Sequence, residues 1–380
     1  MAKRLYFVAG EASGDEHGAA LMRSLRELAP DLEFHGRGGP LMKQLAGDAF
    51  LNWSDAAAVV GLWEVIKRYG YFRQQFEETL REIAHINPDA VVLIDYPGFN
   101  LRLARALRKR SPRLKIIYYI SPQVWAWNRG RIRQMARFLD LMLCIFPFEA
   151  ELYNQSGLRT IFVGHPMVEN LAKRRTGETR DPNLVGLFPG SRSREVKKIF
   201  PVMLRAAARL LHQRPELQFE VAAASPPLAG EIQRVLASSP LAERVRLVTA
   251  DASGLMQRAF AGMVASGTAT LESAYFRLPF VLVYKVSWPT YFAARLVMRT
   301  RYLGMPNVLA DREIVPEFLQ HEARPAAIAE SVLQLMNDCT ARERMISEFD
   351  AVIEKLGESG ASLKAAEAIL QELSGSAGHG

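Results

Sequence analysis

Cysteine is scarce: two in 380 residues, Cys144 and Cys339, neither near a His nor a second Cys. That excludes a disulfide framework and zinc-type ligand spacing, and it leaves a reducing compartment open. No Asp-x-Asp motif occurs, and the seven His show no H-E-x-x-H or similar pattern, so divalent-metal chemistry is not required. No stretch approaches the ~18 uninterrupted apolar residues of a membrane span. The apolar run Leu5–Ala9 behind Lys3-Arg4 stops at Gly10-Glu11, too short for a signal-peptide core, and reads as a buried first strand. A cytoplasmic chain without a transmembrane helix is expected. Repeats of solenoid period are missing, as are helix-turn-helix, zinc-finger and RNP signatures.

What is present is the composition of a folded protein, 49% hydrophobic and 23% charged, long enough for two or three domains. The net charge of +8 calls for nucleic acid, an anionic membrane surface or a phosphorylated substrate as partner. Composition does not choose among them.

Short apolar runs alternate with longer amphipathic ones. Strand-like runs at Leu5–Ala9, Ala90–Ile94, Ile116–Ile120, Leu141–Phe146 and Thr160–Val163 are separated by helix-like stretches such as Glu16–Leu28, Glu64–Ala84 and Leu101–Lys109. Uninterrupted apolar strands between helices indicate a parallel sheet covered on both faces. The pattern breaks at 171–183, LAKRRTGETRDPN, read as a linker, and resumes from Leu184 to about residue 345. Helices around Pro325–Gly357 and Ala361–Leu373 follow, then a frayed tail from 374. Two α/β domains, 1–170 and 184–345, facing each other across a cleft are the simplest architecture. Ligands of such sheets bind beyond the carboxyl ends of the strands, so the loops after strands should carry the chemistry.

Gly10–Glu16 reads first as a helix start, with Ser13 as N-cap and Glu16 completing a capping box, and second as a Gly-lined ligand loop with Asp15 beside it. Asp95 directly follows four apolar strand residues, and Asn100 is available to cap the next helix. That leaves Asp95 as the best general-base candidate. Ser121–Trp127 puts Trp125 and Trp127 on one loop ahead of a basic stretch, which suits core packing or an amphipathic anion. Leu187–Glu195 joins a strand to a helix through Gly190, Ser191 and Arg192, a phosphate site by its free N–H groups and guanidinium although not a P-loop. Ala265–Glu272 repeats the theme with Gly267 and Thr268, and Glu272 could accept bonds from sugar hydroxyls or simply favour a helix start. Two helix N-termini aimed at one ligand fit a diphosphate-linked nucleotide sugar. Val59–Phe76, with Leu62, Trp63, Ile66, Tyr69 and Phe72 at helical intervals, and Trp288–Tyr302 read as core-facing helices or as surfaces for an anionic bilayer.

VAGEASGD at Val8–Asp15, IDYPGFN at Ile94–Asn100, YISPQVWAW at Tyr119–Trp127 and FVGHPM at Phe162–Met167 occur in that order. They continue with LFPGSRSREV at Leu187–Val196, ASGTATLE at Ala265–Glu272 and MPNVLADREIVPEFLQ at Met305–Gln320. Together they resemble the lipid-A-disaccharide synthase family over almost the whole chain; Met305 stands where many relatives carry Leu. The resemblance implies a GT-B-type fold, two Rossmann-like domains with the UDP-sugar held mainly by the second and the C-terminal helices, 346–373, crossing back to the first. It implies transfer, with inversion and without metal or cofactor, of 2,3-diacylglucosamine from UDP-2,3-diacylglucosamine to the 6-hydroxyl of 2,3-diacylglucosamine 1-phosphate. The products would be a β-1,6 disaccharide and UDP. Asp95 would be the base. Arg192, with the backbone at Gly190 and Ser191, would hold diphosphate, and Glu195, Gly267, Thr268, Glu272 and Asn307 would belong to the rest of the donor site. Ser13, Asp15 and Trp125 would belong to acceptor loops, with Leu62, Trp63, Ile66, Tyr69 and Phe72 facing an anionic inner-membrane surface. Nucleic acid is not expected as a partner. A helix that crosses between domains could equally cross between chains, which leaves a homodimer through the C-terminal region open.

Overall fold

The computed structural model describes residues 2–53, 69–127, 130–287 and 300–374. Leu62, Trp63, Ile66, the side chain of Tyr69 and most of Trp288–Tyr302 therefore lie outside the described residues, as does the tail beyond Ser374. The chain divides into two compact units, residues 1–166 with 356–380 (unit 1) and residues 167–355 (unit 2).

Unit 1 holds a seven-stranded parallel sheet built from β1 (Arg4–Ala9), β2 (Glu33–Gly38), β3 (Phe50–Asn52), β4 (Ala90–Ile94), β5 (Lys115–Tyr119), β6 (Leu141–Cys144) and β7 (Thr160–Phe162). Their order is β3-β2-β1-β4-β5-β6-β7. Strands β1 and β4 are buried almost throughout because helices cover both faces. Those helices are α1 (Ala12–Leu28), α2 (Pro40–Ala46), α3 (Tyr69–Ile86), α4 (Pro97–Arg110), the short α5 (Val124–Trp127) and α6 (Gly130–Met135), and α7 (Pro147–Asn154).

Strand β2, EFHGRG, has no apolar run, yet it lies beside the central strand. Gly36 is there because a Cβ would fall 2.1 Å from the Phe7 carbonyl. Arg37 is fully buried, paired with Glu82 of α3 and hydrogen-bonded to Gln75, while the Tyr6 hydroxyl donates to Glu82 at 2.6 Å. A buried charge is tolerable only with partners of this kind.

Unit 2 opens with α8 (Pro166–Ala172), whose first residue still belongs to unit 1, and has a six-stranded parallel sheet. Its strands are β8 (Asp181–Phe188), β9 (Gln218–Ala223), β10 (Val245–Thr249), β11 (Ala259–Ala265), β12 (Phe280–Tyr284) and β13 (Glu317–Leu319), in the order β10-β9-β8-β11-β12-β13. The region expected as a linker is largely tied into this unit. Strand β8 starts at Asp181, the Arg180 guanidinium donates to the carbonyls of Met256, Ala259 and Phe276, and Thr176 N–H donates to Gln257 at 2.8 Å. Helices α9 (Ser193–Gln213), α10 (Pro226–Ala237), α11 (Ala252–Arg258), α12 (Thr268–Tyr275), α13 (Met305–Ala310), α14 (Pro325–Asn337) and α15 (Cys339–Glu354) complete it. Asp338 separates α14 from α15 by accepting the Ala341 N–H, so the helical region expected around 325–357 consists of two helices.

The chain returns to unit 1 at Leu356 and ends in α16 (Ala361–Ser374). Ala365, Ala366, Ile369 and Leu373 enter the core formed by Leu5, Phe7, Met22 and Leu25. Glu372, 6% exposed, bonds Lys115 at 2.6 Å and also pairs with Arg159. Among the described residues no helix is long and apolar enough to cross a membrane.

Candidate active site

In both sheets the first strand lies next to the fourth, β1 beside β4 and β8 beside β11, with the second and third strands on the other side. The loops leaving the two central strands therefore diverge and open a crevice at the carboxyl edge. Each unit has its own.

In unit 1, Ala9 is level with Ile94, so the loops Gly10-Glu11 and Asp95-Tyr96 leave the sheet side by side. Asp95 and Tyr96 both have left-handed backbones, φ 44° and 48°, which side chains adopt only under constraint. The constraint is visible. Asp95 N–H donates to Tyr119 O at 2.9 Å, and Asp95 O accepts from the Tyr118 hydroxyl at 2.5 Å and from Asn100 Nδ2 at 2.9 Å. Gly10 is required because a Cβ would sit 2.4 Å from the Tyr96 ring. The Asp95 carboxyl is pushed up to about 6, first by burial and then by the Glu11 carboxylate, against a lowering bond from the Tyr96 backbone. A carboxylate of that basicity, carried on a backbone held in this way, is ionised at neutral pH and is a better proton acceptor than an ordinary Asp.

The helix after this loop begins at Pro97, not Leu101: Pro at the first helical position needs no N–H partner. Asn100 is thus no cap. It is fully buried and donates to the carbonyls of Val8, Ile94 and Asp95, tying the two crevice strands together.

The capping reading of Ser13 is corrected here, and Asp15 has a structural role. Helix α1 starts at Ala12 with Glu11 at the cap position, which leaves Ser13 exposed in the first turn and not capping. Asp15 is 3% exposed, and its carboxylate accepts the N–H groups of Gly39, Leu41 and Met42 at 2.9–3.0 Å, capping α2. Its chemistry is spent on structure.

Trp125 is buried as well, its indole donating to Glu149 at 2.8 Å and its ring edge-on to Phe148. Glu149, which sequence reasoning passed over, is fully buried at the start of α7. Burial pushes it up to about 7 against the bonds from Ser121 and Trp125. Its signal was a Glu three residues after Phe146, the last residue of the apolar run 141–146, at the position where a carboxylate closes back on a helix start. His17 and His165 are both lowered to about 4 by burial and are neutral at physiological pH.

In unit 2 the crevice is a cavity of about 310 Å³ that brings together Gly190, Ser191, Arg192 and Glu195 with Gly267, Thr268 and Glu272. Gly190 has φ 111°, and a Cβ there would meet Glu195 Oε2 at 2.4 Å. Glu195 accepts the N–H groups of Ser191 and Arg192 at 3.1 and 3.3 Å, so the strand-to-helix turn already cradles an anionic oxygen. The Arg192 side chain is 67% exposed and 3.5 Å from Glu195. Burial raises Glu272 against the lowering charge of Arg174. Tyr284, at the end of β12, is raised by burial and then by the Glu195 carboxylate, against Arg192, and was not foreseen.

Asn307 is not part of this cavity. Buried completely, it donates to Val315 O and Glu317 and accepts the Ile314 and Val315 N–H groups, all at 2.8–2.9 Å. It clamps the entry to β13. Among the described residues no group of three His, Cys, Asp or Glu side chains is placed to hold a metal ion.

Two such α/β units, one with an anion cradle at its crevice, define the GT-B class of fold. Solved structures agree at the level of fold: the calicheamicin glycosyltransferase CalG4 superposes with a TM-score of 0.58 at 14% identity over 100% of both chains. UDP-GlcNAc 2-epimerase from Neisseria meningitidis gives 0.57 at 12% over 99% of this chain and 100% of its own. Sequence narrows the class. The profile described as lipid-A-disaccharide synthetase matches residues 5–372, and the chain belongs to that family. Relatives called lipid-A-disaccharide synthase from Geobacter sulfurreducens and Myxococcus xanthus are 40% and 38% identical, with 97% of each chain covered in both comparisons.

Proposed function

We propose that the chain transfers 2,3-diacylglucosamine from its UDP derivative to the 6-hydroxyl of 2,3-diacylglucosamine 1-phosphate with inversion, forming a β-1,6 disaccharide phosphate and UDP. The observation that carries this reading is the division of labour between the two crevices: a held, basic carboxylate in unit 1 and an anion cradle in unit 2. In a single displacement the acceptor oxygen attacks the anomeric carbon while Asp95 takes its proton. The electron pair of the breaking bond leaves with the diphosphate. Arg192, the N–H groups of Ser191 and Arg192 and the start of α12 at Gly267-Thr268 receive that charge; Glu195 must yield those N–H groups when the diphosphate arrives. Glu272 accepts from the ribose hydroxyls. The acyl chains of both substrates and the net charge of +8 support attachment to the cytoplasmic surface of an anionic inner membrane.

Incubating both substrates with the protein in detergent and EDTA, with Asp95→Ala alongside, tests the reading. Disaccharide from the parent and almost none from the folded variant is expected. Equal rates in the two would remove Asp95 from its role, and no product from the parent would sink the reaction.

A further inference from the structure

Between Asp95 and Asp140 the chain carries nine Arg and two Lys and no Asp or Glu, although the whole protein is only +8. Some of these charges are neutralised within the fold. Arg108 pairs with Asp140 and bonds carbonyls of the following turn, and Arg110 approaches Glu77. Lys115 pairs with Glu372. Four of the remainder line a groove of about 420 Å³ between α4 and α6. Gly98, Arg102, Arg105 and Lys109 recur at intervals of three and four and so share one face of α4. Arg102, Arg105, Lys109 and Arg131 line the groove over an apolar floor that includes Met135 and Phe138, and among the described residues no carboxylate lines it. Arg105 is set in place by the Gln134 side chain at 2.9 Å and by the Phe138 ring. Arg102 and Lys109 are exposed and make no ion pair among the described residues.

Exposed cations at Arg102 and Lys109 above an apolar trough suit an amphiphile that carries a phosphate. The head of the groove is formed by Pro97 and Gly98, two residues beyond Asp95, so whatever lies in it begins beside the carboxylate. We propose that this groove binds the phosphate end of the acylated acceptor sugar and thereby sets the acceptor hydroxyl against Asp95. The inference rests on the reaction proposed above and adds a site for its second substrate. Arg102 and Lys109 act here as acceptor-specificity residues, separate from the donor cavity of unit 2.

The test is the double variant R102E/K109E, both positions at the surface, assayed in mixed micelles with the acceptor and with the same acylated sugar lacking its phosphate. With the phosphorylated acceptor, KM should rise tenfold or more while the donor KM holds. With the dephosphorylated one, parent and variant should be alike. An equal loss on both acceptors overturns the proposal, and so does unchanged KM with weaker sedimentation on phosphatidylglycerol vesicles, which would make the face a contact for bulk lipid. Circular dichroism excludes misfolding, with R102Q/K109Q as the milder pair. Binding of dodecyl phosphate against dodecyl maltoside, followed by tryptophan fluorescence, separates the two readings. If the parent makes no disaccharide yet binds dodecyl phosphate through Arg102 and Lys109, the reaction falls and the groove stands; if it binds both amphiphiles alike, the groove falls.

Discussion

Units 1 and 2 place six strands in the same relative order, yet the crevice beside the first strand is furnished in opposite ways. In unit 1 it holds carboxylates: Asp95 on a strained, over-determined turn, with Glu11 raising it further. In unit 2 it holds glycines at 190 and 267, helix-start N–H groups and Arg192. In the proposed reaction one crevice receives a proton and the other negative charge. Strand order decides where loops converge, and a few residues at those points decide what the convergence does.

The largest effect that could break this contrast comes from Asp95→Asn. It keeps shape and removes the base, and should lower kcat roughly 10²–10⁴-fold with the fold intact by circular dichroism. In the parent, kcat/KM should fall about tenfold per pH unit below about 6 and level off above it, the profile of a base that must be ionised. A profile flat down to pH 5 would assign the proton to another group.

Asn307→Leu probes whether the unit 2 residue outside the cavity is purely structural. Removing four bonds from a buried clamp should cost about 2–4 kcal/mol in urea melts, with the donor KM of the folded fraction unchanged. A raised KM would return Asn307 to the site. Arg192→Ala should weaken UDP binding by about 1.5–3 kcal/mol, roughly 10–150-fold, read by calorimetry, and leave the pH profile alone.

The smallest effect concerns stability. Asp95 binds its proton more tightly in the folded chain than in the unfolded one, so stability falls as pH rises from about 4 through about 6. Asp95→Asn should therefore be more stable than the parent at pH 8, on the order of 1–2 kcal/mol, and show little gain at pH 4. Equal melting temperatures at pH 8 would mean that the carboxylate is better solvated than its setting implies.

What could be read from sequence follows a physical divide. Strand β4, AVVLI, announces itself because both its faces are buried, and Asp95 and Gly190 stand out because they follow such runs directly. Strand β2 does not, because its Arg37 is made tolerable by Glu82 and Gln75, residues of a helix about forty positions away. Asp15 and Asn307 look like site residues in a motif. Only the folded chain reveals that their partners are Gly39–Met42 and Val315–Glu317, bonds that no local spacing encodes.

The insertion of residues 167–355 between the two segments of unit 1 also has a bearing on synthesis. The first sheet is complete once β7 has left the ribosome, but the apolar face that α16 covers stays bare while unit 2 is made. At ribosomal speeds those roughly 190 intervening residues take some 10–40 s. Leu5, Phe7, Met22 and Leu25 spend that interval without Ile369 and Leu373 against them. The second unit can therefore close its core before the first, which waits on α16.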